Sequence, residues 1–143
     1  MPRGLGVRDD DRMKQHYHAL VWIDHKVARI FHFDDDTNQT EIVHSTHPHE
    51  HLHHKANSGD SGHARVDKLF LERVSGALGN SGAILIAGPA GAKTELHTFM
   101  KQKHPQLAAR VSAVETLDHP TDGELLAHGR RFFRADDRMR LQL

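Results

Sequence analysis

The chain has no cysteine, which removes disulfides, thiolate nucleophiles and cysteine metal ligands together. Zinc could be held only through His, Asp or Glu. No excess of charge of either sign exists: 19 Lys and Arg stand against 19 Asp and Glu, so no global field draws the chain to nucleic acid or to a membrane surface. No apolar run approaches the ~18 residues of a membrane span, and Met1 to His16 lacks the apolar core of a signal peptide. A cytoplasmic protein with no membrane partner is expected. Aromatic residues are sparse, with one Trp and one Tyr; Trp22, Phe31, Phe33, Phe70, Phe99, Phe132 and Phe133 are expected in the core. No internal repeat is visible.

What the chain does have is histidine, concentrated in one place. Seven of its 15 histidines fall between His44 and His63, in the segment HSTHPHEHLHHKANSGDSGH. The segment carries neither a helical nor a strand period. Loops of this length without structure are uncommon inside a compact domain and are usually functional or disordered.

On both sides the pattern is regular. Tyr17 to Ile23 is a nearly continuous apolar run, as in a strand buried on both faces. Asp24-His25-Lys26 turns it into Val27 to Phe33, and the polar cluster Asp34 to Asn38 turns again into Thr40 to His44. Short turns between three strands imply an antiparallel meander. Beyond the histidines the period becomes helical: Val66, Leu69, Phe70, Val74, Ala77 and Leu78 predict one apolar stripe. Ala83 to Ala87 is a short apolar strand running into Gly88-Pro89-Ala90-Gly91. A second helix carries Leu96, Phe99 and Met100 and stops at His104-Pro105, and Val111 to Glu115 reads as a last strand. Thr121 with Glu124 is a capping box opening a third helix, whose buried face is Leu125, Leu126, Phe132 and Phe133. The expected class is α/β, with a mixed sheet in the order β-β-β-α-β-α-β-α; strands separated by helices should pair in parallel. Residues 1–15 are expected as a flexible tail, 16–134 as a single domain with its long loop at 44–63, and 135–143 as a polar C-terminal tail.

Several constellations could carry chemistry. The i, i+2 spacing of His47, His49, His51 and His53 would place four imidazoles on one side of an extended segment, with Glu50 as an oxygen ligand, although no tight motif such as H-E-x-x-H occurs. No cofactor is expected beyond adventitious zinc or nickel. As a nucleic-acid tip, the same loop would offer His54, Lys55, Gly62, His63, Arg65 and Lys68, cations to phosphate and imidazoles to bases. The plain alternative is a solvated connector. Gly88, Gly91 and Lys93 form an anion-binding candidate, because a glycine turn at a helix start presents N–H groups and a positive dipole end; the spacing is not that of a Walker motif. The element order also suits a ribonuclease-H-like nuclease, but Asp24 has no partner acid on the fourth strand. Arg130, Arg131, Arg134, Arg138 and Arg140 make a basic C-terminal face, readable as an RNA contact or as the solvated side of a helix.

Taken together, the element order, Val21 to Ala28, Ile84 to Pro89 with Lys93, and the glycine-bearing loop before the first helix resemble the central domain of the class-one release factors of eukaryotes and archaea, and of Pelota. The chain is similar to the small bacterial relatives of that domain called translational machinery proteins, over roughly Tyr17 to Phe133. Release factors carry a Gly-Gly-Gln tip where this chain reads Ser61-Gly62-His63, so the glutamine that assists peptidyl-tRNA hydrolysis has no counterpart. The resemblance covers the central domain of a release factor, so it does not imply stop-codon reading. The resemblance implies a translation accessory that binds ribosome or tRNA through the histidine-rich loop without catalysis. The alternative is a hydrolase of an RNA or tRNA ester or phosphodiester, with His63 as general base or a loop-bound metal. A homodimer could form through an exposed edge strand.

Overall fold

The computed structural model describes residues 17–45 and 66–141. Five strands, β1 (His18–Ile23), β2 (Val27–Phe33), β3 (Asn38–His44), β4 (Ala83–Gly88) and β5 (Val111–Thr116), lie side by side in the order β3-β2-β1-β4-β5. The first three pair antiparallel, while β1, β4 and β5 run parallel. Helices α1 (Lys68–Ala77), α2 (Ala92–Lys103), α3 (Pro105–Ala108) and α4 (Asp122–Leu141) complete the domain.

The apolar runs of β1 and β4 follow from their central place, since alternate side chains enter two different cores. Ala19, Val21 and Ile23, with Ile84 and Ile86, pack on Phe70 and Val74 of α1 and on Leu96 and Met100 of α2. Leu20, Trp22 and Leu85 face the other way, against Phe31, Phe33, Leu125 and Phe133. The result is a three-layer α/β/α domain: α1 and α2 on one face, α4 on the other.

Local signals account for most element ends. The carboxylate of Asp24 accepts the N–H groups of Lys26 and Val27 at 2.8 and 2.9 Å, which folds the β1–β2 turn. Asp34 does the same for Asp36 and Thr37 between β2 and β3. Thr121 and Glu124 exchange reciprocal bonds of 2.8 and 3.1 Å at the start of α4.

Three features differ from the sequence expectation. Leu69 is 56% exposed and Leu71 is buried in its place; the buried face of α1 runs through Phe70, Leu71, Val74 and Ser75, and at about 100° per residue Leu69 falls nearly opposite the middle of that face. The four-residue α3, opened by Pro105 at its first position, is too short to show a period. The polar tail expected from residue 135 is helix instead, because α4 continues to Leu141. Its residues there are mostly Arg, Met and Leu, all strong helix formers, and Asp137 of that stretch lies 3.3 Å from the imidazole of His18. No described helix is long and apolar enough to cross a membrane.

Candidate functional site at the carboxyl edge of the sheet

Four connections meet where β1, β4 and β5 end. They are the Asp24–Lys26 turn, the two ends of the histidine-rich segment, the Gly88–Gly91 turn and the Leu117–Thr121 loop. In open α/β sheets this carboxyl edge is where ligands bind.

Both ends of the segment are anchored there. On the departing side, Ser45 donates its N–H to the Lys26 carbonyl at 2.9 Å, and the Arg73 guanidinium of α1 donates to the carbonyl of His44. On the returning side, the Val66 N–H meets the Glu95 carboxylate of α2 at 3.0 Å, and Asp67 caps α1 by accepting the Leu69 N–H. The residues between, which include His47, His49, His51, His53, His54, Lys55, Gly62, His63 and Arg65, lie outside the described residues.

Around this base the cations are Lys26, Lys68 and Arg73, all exposed, and the half-buried Lys93. Three acids stand on the same side and keep their charge: Asp24 in its turn, Asp67 at its cap with Oδ2 buried and unpartnered, and Glu95 beneath Val66. The α4 side of the edge is built differently. Trp22 donates Nε1–H to the carbonyls of Leu117 and Asp118 at 3.2 and 3.1 Å. Arg29 lies 4.6 Å over the Trp22 ring and binds Asp122 at 2.7 Å and the Pro120 carbonyl at 3.1 Å. From Glu115 to Glu124 this strip carries Asp118 and Asp122 and no Lys or Arg. A phosphate would meet more cations than acids on the α1/α2 side and more acids than cations on the α4 side.

The anion-binding candidate resolves into structural parts. A Cβ at Gly88 would stand 2.3 Å from the Ile23 carbonyl oxygen, so glycine there is required by the close approach of β4 to β1. Lys93 turns back to donate to the Ala90 carbonyl at 2.6 Å. Gly91 opens α2 without a side-chain cap, and Glu95 places a carboxylate in the same first turn, where it weakens attraction for an anion. Likewise, Arg130 is engaged with the carbonyls of Asp34 and Thr37 at 3.0 and 3.2 Å, closing the β2–β3 turn; Arg131 and Arg134 are exposed.

Side-chain pairs between distant elements were not legible in the sequence. His128 of α4 meets Glu115 of β5 at 2.6 Å, and His104 meets both oxygens of Glu72 at 3.1 and 3.0 Å. Burial, with help from Lys101, lowers the pKa of His97. Among the described residues no three His, Asp or Glu side chains form a group that could hold a metal ion.

No family model matches the chain, and no curated protein matches it either. Solved structures do. Pelota of Archaeoglobus fulgidus superposes with a TM-score of 0.57 at 15% identity, over 92% of this chain and 36% of that one. Dom34 of S. cerevisiae, a translation termination-like factor involved in RNA quality control pathways and interacting with Hbs1, gives 0.54 at 8% identity, over 99% of this chain and 43% of that one. The archaeal translation termination factor aRF1 gives 0.53 at 13%, over 87% and 40%. At these identities the likeness is one of fold: the chain has the α/β fold found in Pelota and release-factor structures. It spans well under half the length of each.

Proposed function

We propose that this protein is a translation-associated accessory that binds the ribosome, with tRNA as the alternative partner, through the segment between Ser45 and Val66 and without catalysing a reaction. The observation that carries this proposal is the convergence of both segment ends on the carboxyl edge, on a fold shared with Pelota, Dom34 and aRF1. Lys26 and Lys68 at the base, with Lys55 and Arg65 in the segment itself, supply cations for RNA phosphates. His54, Gly62 and His63 complete the contact: imidazoles stack on unpaired bases, and glycine lets backbone approach closely.

A binding role is favoured over hydrolysis by what surrounds Asp24. Its carboxylate is spent on the β1–β2 turn, and β4 ends in Gly88 where a second acid would have to stand. His63 and the loop histidines His47, His49, His51 and His53 would have to supply all of the catalytic or metal chemistry themselves.

The test is co-sedimentation of purified protein with ribosomes across a salt series. Binding through phosphate contacts falls steeply as salt rises. Pelleting that does not change with salt, or no pelleting at low salt, would contradict the proposal; release of amino acid from aminoacyl-tRNA would favour the hydrolase.

A further inference from the structure

We infer that the outer edge of β3 pairs antiparallel with the same strand of a second copy of this chain, giving a two-fold dimer centred on Ile42. The register decides which groups are on offer. Asp34 donates its N–H to the Thr37 carbonyl and Ser45 donates to the Lys26 carbonyl, at 3.1 and 2.9 Å. Both bonds fall in the β2–β3 register that sets Asn38 opposite Phe33 and Ile42 opposite Arg29. Gln39, Glu41 and Val43 therefore turn their backbone groups to β2, while Asn38, Thr40, Ile42 and His44 aim theirs away from the sheet. Of these outward groups, only the His44 carbonyl has a partner among the described residues, the Arg73 guanidinium. The pairing is independent of the translation role.

The two edges of the sheet are not equivalent. Pairing of β5 with β4 is interrupted by a register shift at Ile84 and Leu85, and a bulge blunts strand addition. β3 carries no Lys, no Pro and no bulge, and its apolar Ile42 is 51% exposed. With one open edge per chain, head-to-tail growth is closed off, and a two-fold pair satisfies both copies.

Charge selects the occupant and the register. Glu41 and Arg73, with Val43 and Ser45, bound an open groove of about 640 Å³ along this edge. Neither is in an ion pair among the described residues, and the bond to His44 uses one of the five N–H donors of Arg73. A two-fold at Glu41 would set like charges opposite each other. At Ile42 it sets Ile42 on its own copy and Glu41 opposite the second copy's Val43, beside the guanidinium held at the neighbouring His44 carbonyl. Each chain then contributes the acid of one cross-chain ion pair and the base of the other. An unrelated strand would have to bring both charges in the same order; a second copy does so by symmetry.

The lack of cysteine in the chain gives the test a register-specific readout. In the intact protein, Ile42→Cys puts two thiols directly opposite each other, with Cα atoms about 5.5 Å apart, inside the range a disulfide spans. Mild oxidation should convert this variant to a covalent dimer and leave Asn38→Cys monomeric. By sedimentation velocity, the parent should pass from monomer to dimer as its concentration rises. Glu41→Arg and Arg73→Glu should each weaken the dimer by about tenfold, and the double variant should restore it. Arg73 also anchors His44, so Thr40→Lys serves as a second variant: it should weaken the dimer while keeping the parent's circular dichroism. The inference is overturned by a parent that stays monomeric at its highest soluble concentration, or by equal disulfide yields at 42 and 38. Assemblies larger than a dimer, a charge swap that restores nothing, or cross-linking of β3 to residues 1–16 of the same chain would each overturn it too.

Discussion

The carboxylate of Glu95, in the first turn of α2, receives the backbone N–H of Val66 at 3.0 Å. This bond joins the returning end of the histidine-rich segment to the helix that follows β4, and it places a negative charge where the α2 dipole favours one. Removing the acceptor should leave a part-buried N–H unpaired, at a cost of about 1–3 kcal/mol. Glu95→Ala is expected to lower the urea midpoint with an unchanged m-value, and Glu95→Gln, which keeps an acceptor oxygen, should recover most of the loss.

Gly88 and Gly91 flank one turn and should respond oppositely to alanine. At 88 the new Cβ would stand 2.3 Å from the Ile23 carbonyl, and neither backbone can yield without distorting β1 or β4. Gly88→Ala should cost about 2–3 kcal/mol, within the range for overpacked cores. Gly91 has φ of −74° and open space around it, so Gly91→Ala should be neutral or slightly stabilising. Thermal melts of the two variants side by side check this.

Trp22 is the chain's single tryptophan, 2% exposed, and its Nε1–H holds the Leu117–Asp118 segment against β1. Trp22→Phe fills most of the volume but leaves those two carbonyls without their donor, an expected loss of about 1–3 kcal/mol. Arg29→Lys should also destabilise, by less, because an ammonium cannot span the Trp22 face, Asp122 and the Pro120 carbonyl at once. Far-ultraviolet circular dichroism against urea measures both.

The strands were legible because their signal is local. β1 and β4 are apolar runs, each turn is built by an Asp that caps its own backbone, and the Thr121–Glu124 box lies within one helical turn. The rotation of α1 was not legible, since Leu69 and Leu71 are equally apolar and only the neighbouring sheet decides which is buried. At the site, Gly88 stood out by residue type, but its reason is a carbonyl on β1, set by parallel register. Arg130 looked like an RNA contact because nothing near it in sequence shows the turn carbonyls it binds. His128–Glu115 and His104–Glu72 depend on tertiary approach in the same way.

Acid should act on stability partly through His97. Burial and the charge of Lys101 lower its pKa in the folded chain below the usual 6.5. The unfolded chain then binds the proton more readily, so the contribution of neutral His97 is present above pH 6.5 and is lost as pH falls toward and below the folded value. His97→Gln should flatten the fall in melting temperature between neutral and mildly acidic buffer. The effect should be small, since the side chain is partly exposed.

Ribosome contact is proposed to run through the segment anchored at Ser45 and Val66. The most direct measurement compares ribosome co-sedimentation of the intact protein with a variant in which residues 47–62 are replaced by a short glycine-serine linker between the anchors at Ser45 and Val66. The variant should keep the parent's circular dichroism and lose ribosome pelleting at low salt. A folded variant that pellets as well as the parent would contradict the account.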